Sequence, residues 1–95
     1  MFAVVRHYHF DAKDSAEIDR QVREHFVPII RRAQGFVRYY WLDNGNGEGA
    51  SFGLFASKAG ADESVELAKE FIHEHLSKLM RQKPEIVEGE VVAHD

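Results

Sequence analysis

Residues 2 to 10 place Phe2, Val4, Arg6, Tyr8 and Phe10 in one alternating set and Ala3, Val5, His7 and His9 in the other. That period of two, carried by β-favouring side chains, predicts a first strand. Asp14 followed by Glu17 has the spacing of a capping box, and Ile18, Val22, His25, Phe26, Ile29 and Ala33 then share one helical face, predicting a first helix over about 15–33. Pro28 lies inside it and removes the N–H that would bond the carbonyl of Glu24, so a bend is expected there. Gly35 supplies the stop. Residues 36–43 predict a second strand, Asn44-Gly45-Asn46-Gly47-Glu48-Gly49 a loop, and residues 50–56 a third strand. After an irregular Lys58-Ala59-Gly60, Val65, Ala68, Ile72, Leu76 and Leu79 trace a stripe that predicts a second helix over about 61–81. Pro84 ends it, and residues 86–93 alternate as a last strand.

The order β-α-β-β-α-β predicts a ferredoxin-like α+β fold in a single domain covering residues 1–95. Two right-handed crossovers put both helices on one face of a four-stranded antiparallel sheet, leaving the other face bare. Such a sheet should read apolar on one side of each strand and polar on the other. The second strand breaks this rule, because strict alternation sets Phe36, Tyr40 and Leu42 against Val37, Tyr39 and Trp41, with Arg38 its one internal charge. A strand apolar on both sides calls for cover on both, and a second copy of the same sheet supplies it. The chain is therefore expected to be a homodimer. Its size points the same way, since 95 residues bury only about 60 to 65 % of the unfolded surface.

Charge and composition narrow the function classes. A formal net charge of −4, with basic residues bunched only at predicted helix ends, argues against nucleic acid as a partner. The absence of cysteine excludes disulfides, thiolate metal sites and a cysteine nucleophile, and suits a reducing cytoplasm. No apolar run approaches the roughly 20 residues of a membrane helix, and the N-terminal residues lack the features of a signal peptide. No Gly-x-Gly-x-x-Gly, Walker loop, Gly-x-Ser-x-Gly or His-Glu-x-x-His is present, which removes nucleotide, flavin and serine-hydrolase readings.

The Gly35-Phe36 turn into an aromatic strand, the Gly-rich hairpin, Leu54-Phe55-Ala56-Ser57 before an Ala- and Glu-rich helix, and Pro84 leading to Gly89-Glu90-Val91-Val92 together resemble the dimeric α/β-barrel superfamily. Within it they are most similar to the antibiotic-biosynthesis-monooxygenase-like branch. The resemblance implies two sheets paired face to face, often with a small-molecule cavity between sheet and helices. Members include cofactor-free monooxygenases of electron-rich phenols and quinols, isomerases, decyclases and haem-degrading enzymes. The haem-degrading branch uses an Asn on the first strand, a Trp just after the third and a His early in the second helix. This chain has no first-strand Asn, carries Phe55 at the aromatic position, and has its helical histidines later, at His73 and His75. No cofactor is expected.

Six histidines remain to be assigned. His25 lies within the apolar stripe of the first helix and His75 flanks that of the second, positions from which both can point between helix and sheet; they are the candidate catalytic pair, serving as a general base or a hydrogen bond to a phenol, or else packing only. His73 falls on the solvent side. His7 and His9 share a strand face and have the spacing to chelate a metal with Glu88 or another carboxylate, but two ligands are not a site and no metal is assigned. Arg6, Arg38, Glu88 and Glu90 read as substrate-orienting charges or as pairs in a dimer seam. His7, Tyr39, Trp41 and Phe55 are the candidate substrate-binding residues, the aromatics serving either to stack on a ligand or as core. These readings predict a homodimer that binds a small apolar or aromatic molecule, acting as a cofactor-independent monooxygenase of a phenolic or quinol-like compound. The alternative is a non-catalytic ligand-binding or structural dimer.

Overall fold

The computed structural model describes residues 1–95. Four strands, β1 (Phe2–His9), β2 (Phe36–Asp43), β3 (Glu48–Phe55) and β4 (Glu85–Glu90), form one sheet in the order β2-β3-β1-β4, every neighbour antiparallel. Two helices cross one face. The ferredoxin-like order and the bounds of β2 agree with the sequence pattern.

The helices differ from it in an instructive way. The first runs over 15–30, with its α-helical start at Ser15–Gln21 followed by a π-helical turn, Val22–Phe26, in which the Val27 N–H bonds the carbonyl of Val22. Its buried residues Ile18, Val22, Phe26 and Ile30 recur every four positions. An ideal α-helix drifts about 40° around its axis at each such step, so the wider turn keeps the stripe on the sheet. The irregularity expected at Pro28 thus lies just before it. The capping box does not form: the Asp14 side chain makes no cap bond, while Asp11 accepts from the Lys13 N–H at 3.0 Å and Glu17 is held by Arg20 at 2.7 Å.

The second helix runs over 58–76 and ends in another π-helical turn, Ile72–Leu76. Its buried face is Ala61, Ser64, Ala68, Phe71 and Leu76, so the central stripe sits one residue before the expected Val65 and Ile72. The π turn spans the five-residue step from Phe71 to Leu76. Gly60, in the first turn, lies so close to the 31–35 loop that a Cβ there would fall 1.8 Å from the Gln34 carbonyl oxygen.

A bulge decides the faces of β2. Phe36 pairs with Phe55 while Arg38, not Val37, pairs with Leu54, leaving Val37 as the extra residue. Phe36 therefore joins Tyr39 and Trp41 toward the helices, whereas Arg38, Tyr40 and Leu42 lie on the bare face, correcting the set expected from strict alternation. Trp41 fits over the sheet because β3 offers Gly49, where a Cβ would meet the indole at 2.7 Å. The core joins Val4, Tyr8, Phe10 and Phe55 of the sheet side to the two helical stripes. Across the bare face Tyr40, Phe52, Val5 and Val87 are register partners, one from each strand, forming an apolar row over the whole sheet. Three of the four are exposed, Tyr40 at 51 %, Val5 at 38 % and Val87 at 71 %. No helix is long and apolar enough to cross a membrane.

Candidate functional site

The largest cleft, about 520 Å³, opens between the C-terminal half of the second helix and the β1–β4 edge. Strand alternation aims Arg6 at the helices, where it is only 2 % exposed and helps line this cleft. One terminal nitrogen donates to the Ser64 carbonyl at 2.9 Å, but the Nε–H has no partner. Glu88 feels the Arg6 charge only weakly: the neighbouring Asp62 carboxyl pushes Glu88 above the usual carboxylate range, while Glu88 and the Lys58 ammonium, 3.0 Å away, hold Asp62 below it. The guanidinium is thus a buried cation without a committed counter-ion, an expensive arrangement unless an anion visits. Lys69, His73, Ser77 and Lys83 add polar groups to walls otherwise formed by Ala68, Ile72, Pro84 and Ile86. Behind Arg6, burial holds the Tyr8 hydroxyl above its ordinary range, offset in part by the Arg6 charge.

A second cleft of about 360 Å³ lies between the first helix and β2, lined by Asp19, Val22, Arg23, Val27, Tyr39, Trp41 and Asp43. The indole N–H of Trp41 donates to Asp19 at 2.8 Å. Burial and the neighbouring Asp43 push the Asp19 carboxyl up. Burial also acts on Asp43, but the Gly45 N–H at 2.8 Å, Asp19 and Ser15 together bring it below its usual value. Each carboxyl bears on the other, and the fold favours the protonated form at Asp19 rather than at Asp43. Because the fold favours protonated Asp19, that contribution is full below the unfolded pKa and is lost as pH rises through the raised folded value. Asp19→Asn keeps an acceptor for Trp41 and removes the disfavoured charge, so thermal denaturation should show it slightly more stable than the parent near pH 7, the gain vanishing below about pH 4. A gain that instead grew toward acid would contradict the upward push on Asp19.

The predicted site residues are scattered over these surfaces. Tyr39 and Trp41 share the second cleft. Phe55 is fully buried against Phe36 and belongs to the core. His25 and His75 sit within the two π turns, exposed, their rings stacked at 5.6 Å with His75 also over Phe71 at 5.0 Å. They meet on the surface of the helix pair rather than between helix and sheet, because the widened turns direct Val22 and Phe26, and Phe71 and Leu76, inward instead. The space beneath is nearly filled: a gap among Tyr8, Phe26, Tyr39, Trp41 and Phe71 amounts to about 10 Å³. His7 lies on the opposite face with His9 and Glu48, the group able to hold a metal. His73, which helical phase alone sent to solvent, borders the 520 Å³ cleft because residues 83–86 fold across it. Asp19 and Asp43, 24 positions apart, carried no sequence signal.

Among solved structures, the chain superposes on a protein of unknown function from Nitrosomonas europaea with a TM-score of 0.83 and 18 % identity, over 99 % of this chain and 91 % of that one. A candidate antibiotic biosynthesis monooxygenase from Deinococcus radiodurans gives 0.80 and 15 %, over 100 % and 96 %. The fold is that of the antibiotic-biosynthesis-monooxygenase-like proteins. A dimeric ferredoxin-like protein from an uncultured marine organism superposes with a TM-score of 0.73 and 20 % identity, over 100 % of this chain and 98 % of that one. No family model matches the sequence, and no curated protein is significantly similar to it.

Proposed function

We propose that the protein is a homodimeric, cofactor-independent monooxygenase that holds a phenolic or quinol-like molecule as its anion in the cleft headed by Arg6. The carrying observation is the buried guanidinium with an unpartnered Nε–H at the wall of a 520 Å³ cleft. Oxygen reacts directly with an electron-rich carbon only once the substrate is deprotonated. A desolvated cation lowers the cost of that anion and strengthens as charge builds on the substrate oxygen. His73 supplies the one imidazole in the cleft lining, and it accepts the proton. The anion then adds O₂ at a ring C–H to form a peroxide anion, the proton returned by His73 makes it a hydroperoxide, and loss of water, which carries off the C–H hydrogen, leaves a carbonyl. The sum is phenol (one O–H and one ring C–H) + O₂ → quinone + H₂O, all four electrons coming from the substrate. This moves the proton-handling role from His25 and His75 to His73. The apolar row on the bare face, and the dimeric state of one structural neighbour, support pairing through that face.

The nearly filled space between sheet and helices favours a second reading, a dimer that binds without reacting. Thermal shift and oxygen uptake with 1-naphthol and 1,4-dihydroxynaphthalene separate the two. Stabilisation with uptake above the rate of heat-inactivated protein is expected, and Arg6→Gln and the exposed Lys83→Gln should each weaken binding, Arg6→Gln by at least about tenfold. Binding without uptake would leave the second reading, and no shift with either compound would remove the cleft as a phenol site.

A further inference from the structure

We infer that the bare face of the sheet carries a site for a zinc-class divalent cation, made by His7, His9 and Glu48 with Glu85 as an orienting carboxylate. His7 and His9 are adjacent same-face positions of β1, their rings 4.5 Å apart. Register places Glu48 of β3 opposite His9 and Glu85 of β4 opposite His7, so three neighbouring strands deliver their groups to one spot. The His7 Nε2 lies 3.1 Å from a Glu48 oxygen, and one ligand atom from each of His7, His9 and Glu48 falls within 4.8 Å of the others. Tetrahedral zinc with bonds near 2.0 to 2.1 Å sets its ligand atoms about 3.4 Å apart. One contact already meets that spacing, and side-chain rotation of half-exposed groups closes the rest.

The donor chemistry narrows the ion. Two imidazoles with one carboxylate suit zinc, copper or nickel, whereas calcium and magnesium prefer all-oxygen sets. Glu85 adds the outer partner that metal-binding histidines commonly have: its carboxylate is 3.4 Å from His7 Nδ1, placed to accept that N–H while Nε2 faces the metal. It also stands 3.8 Å from His9 Nε2. Beside the cluster, Leu42, Asn44, Gly49 and Ala50 join His7 and Glu48 around a hollow of about 210 Å³. A fourth coordination position opening there admits water or a small ligand. Glu88, the partner considered from sequence, faces the helices instead, because it pairs with Val4 on the opposite side of β4. Every donor comes from a single chain, so the site lies on the opposite side of the sheet from the Arg6 cleft and needs no group from a second copy to complete it.

Full-length protein without a histidine tag, stripped with chelator and titrated with zinc chloride by calorimetry, should take up one zinc per chain. His9→Ala and Glu48→Gln should each weaken binding more than tenfold, with His25→Ala/His75→Ala unchanged. Circular dichroism of the metal-free variants separates lost ligation from lost folding, and the parent should gain thermal stability with zinc and return to its starting value with chelator. Absence of saturable binding, or binding that survives His9→Ala or falls equally in His25→Ala/His75→Ala, would overturn the site.

Discussion

Gly60→Ala should lower stability by about 3 kcal/mol or more, a fall in melting temperature on the order of 15 °C for a domain of this size. In an ordinary helix the same change is worth up to about 1 kcal/mol in the opposite direction, because alanine is the better helix former. Here the added methyl has nowhere to go. It would lie 1.8 Å from the Gln34 carbonyl oxygen, 3.0 Å from its carbon and 3.4 Å from the Phe55 Cβ. The obstructing atoms are backbone, and the loop that bears them is pinned: the Gln34 N–H donates to Glu63 at 2.9 Å, and the Gly35 carbonyl accepts from Ala56 at 2.7 Å. Relief requires the helix start and the 31–35 loop to separate, opening the core around Phe55 and Ala61. Thermal denaturation followed by circular dichroism measures the loss, and a drop of only a degree or two would mean that the loop yields freely.

Val5→Asp should convert a dimer into a less stable monomer. Val5 is central in the row Tyr40–Phe52–Val5–Val87, with Phe52 opposite it on one side and Val87 on the other. In a face-to-face pair this row packs against its symmetry mate, and a carboxylate there is buried against another without a cation to match. A single chain would tolerate the change, since Val5 is 38 % exposed there. Light scattering after gel filtration should give twice the chain mass for the parent and one chain for the variant at the same concentration. A monomeric parent, or a dimeric variant, would contradict pairing through this face.

Strand order and the two-sided character of β2 were legible because both follow from side-chain alternation and turn residues, which are local. The face of Phe36 was not, since one extra residue at Val37 inverts parity without altering composition. The histidines were misplaced for a similar reason. A phase of 3.6 residues was carried through both helices, while each contains one π turn exactly where His25 and His75 lie, and buried spacings of four and five show that turn only when the sheet's demands are known. Arg6 was visible as a charge among buried neighbours, but its lack of a counter-ion depends on Glu88 engaging Asp62 instead. Asp19 and Asp43 are joined purely by the packing of the first helix on β2, and the rim position of His73 by residues 83–86 folding over it.

The two margins of the sheet explain why association should stop at two. β4 places Glu85, Glu88 and Glu90 within six residues, so a second β4 laid alongside it would meet a fence of like charge. At the other margin, the bulge at Val37 interrupts the ladder and twists β2 out of line with any incoming strand. Sideways growth into a continuous ribbon is blocked at both ends, while the flat apolar face remains open. Once two such faces meet, neither copy has another to offer, and the assembly closes on itself rather than propagating into a fibre.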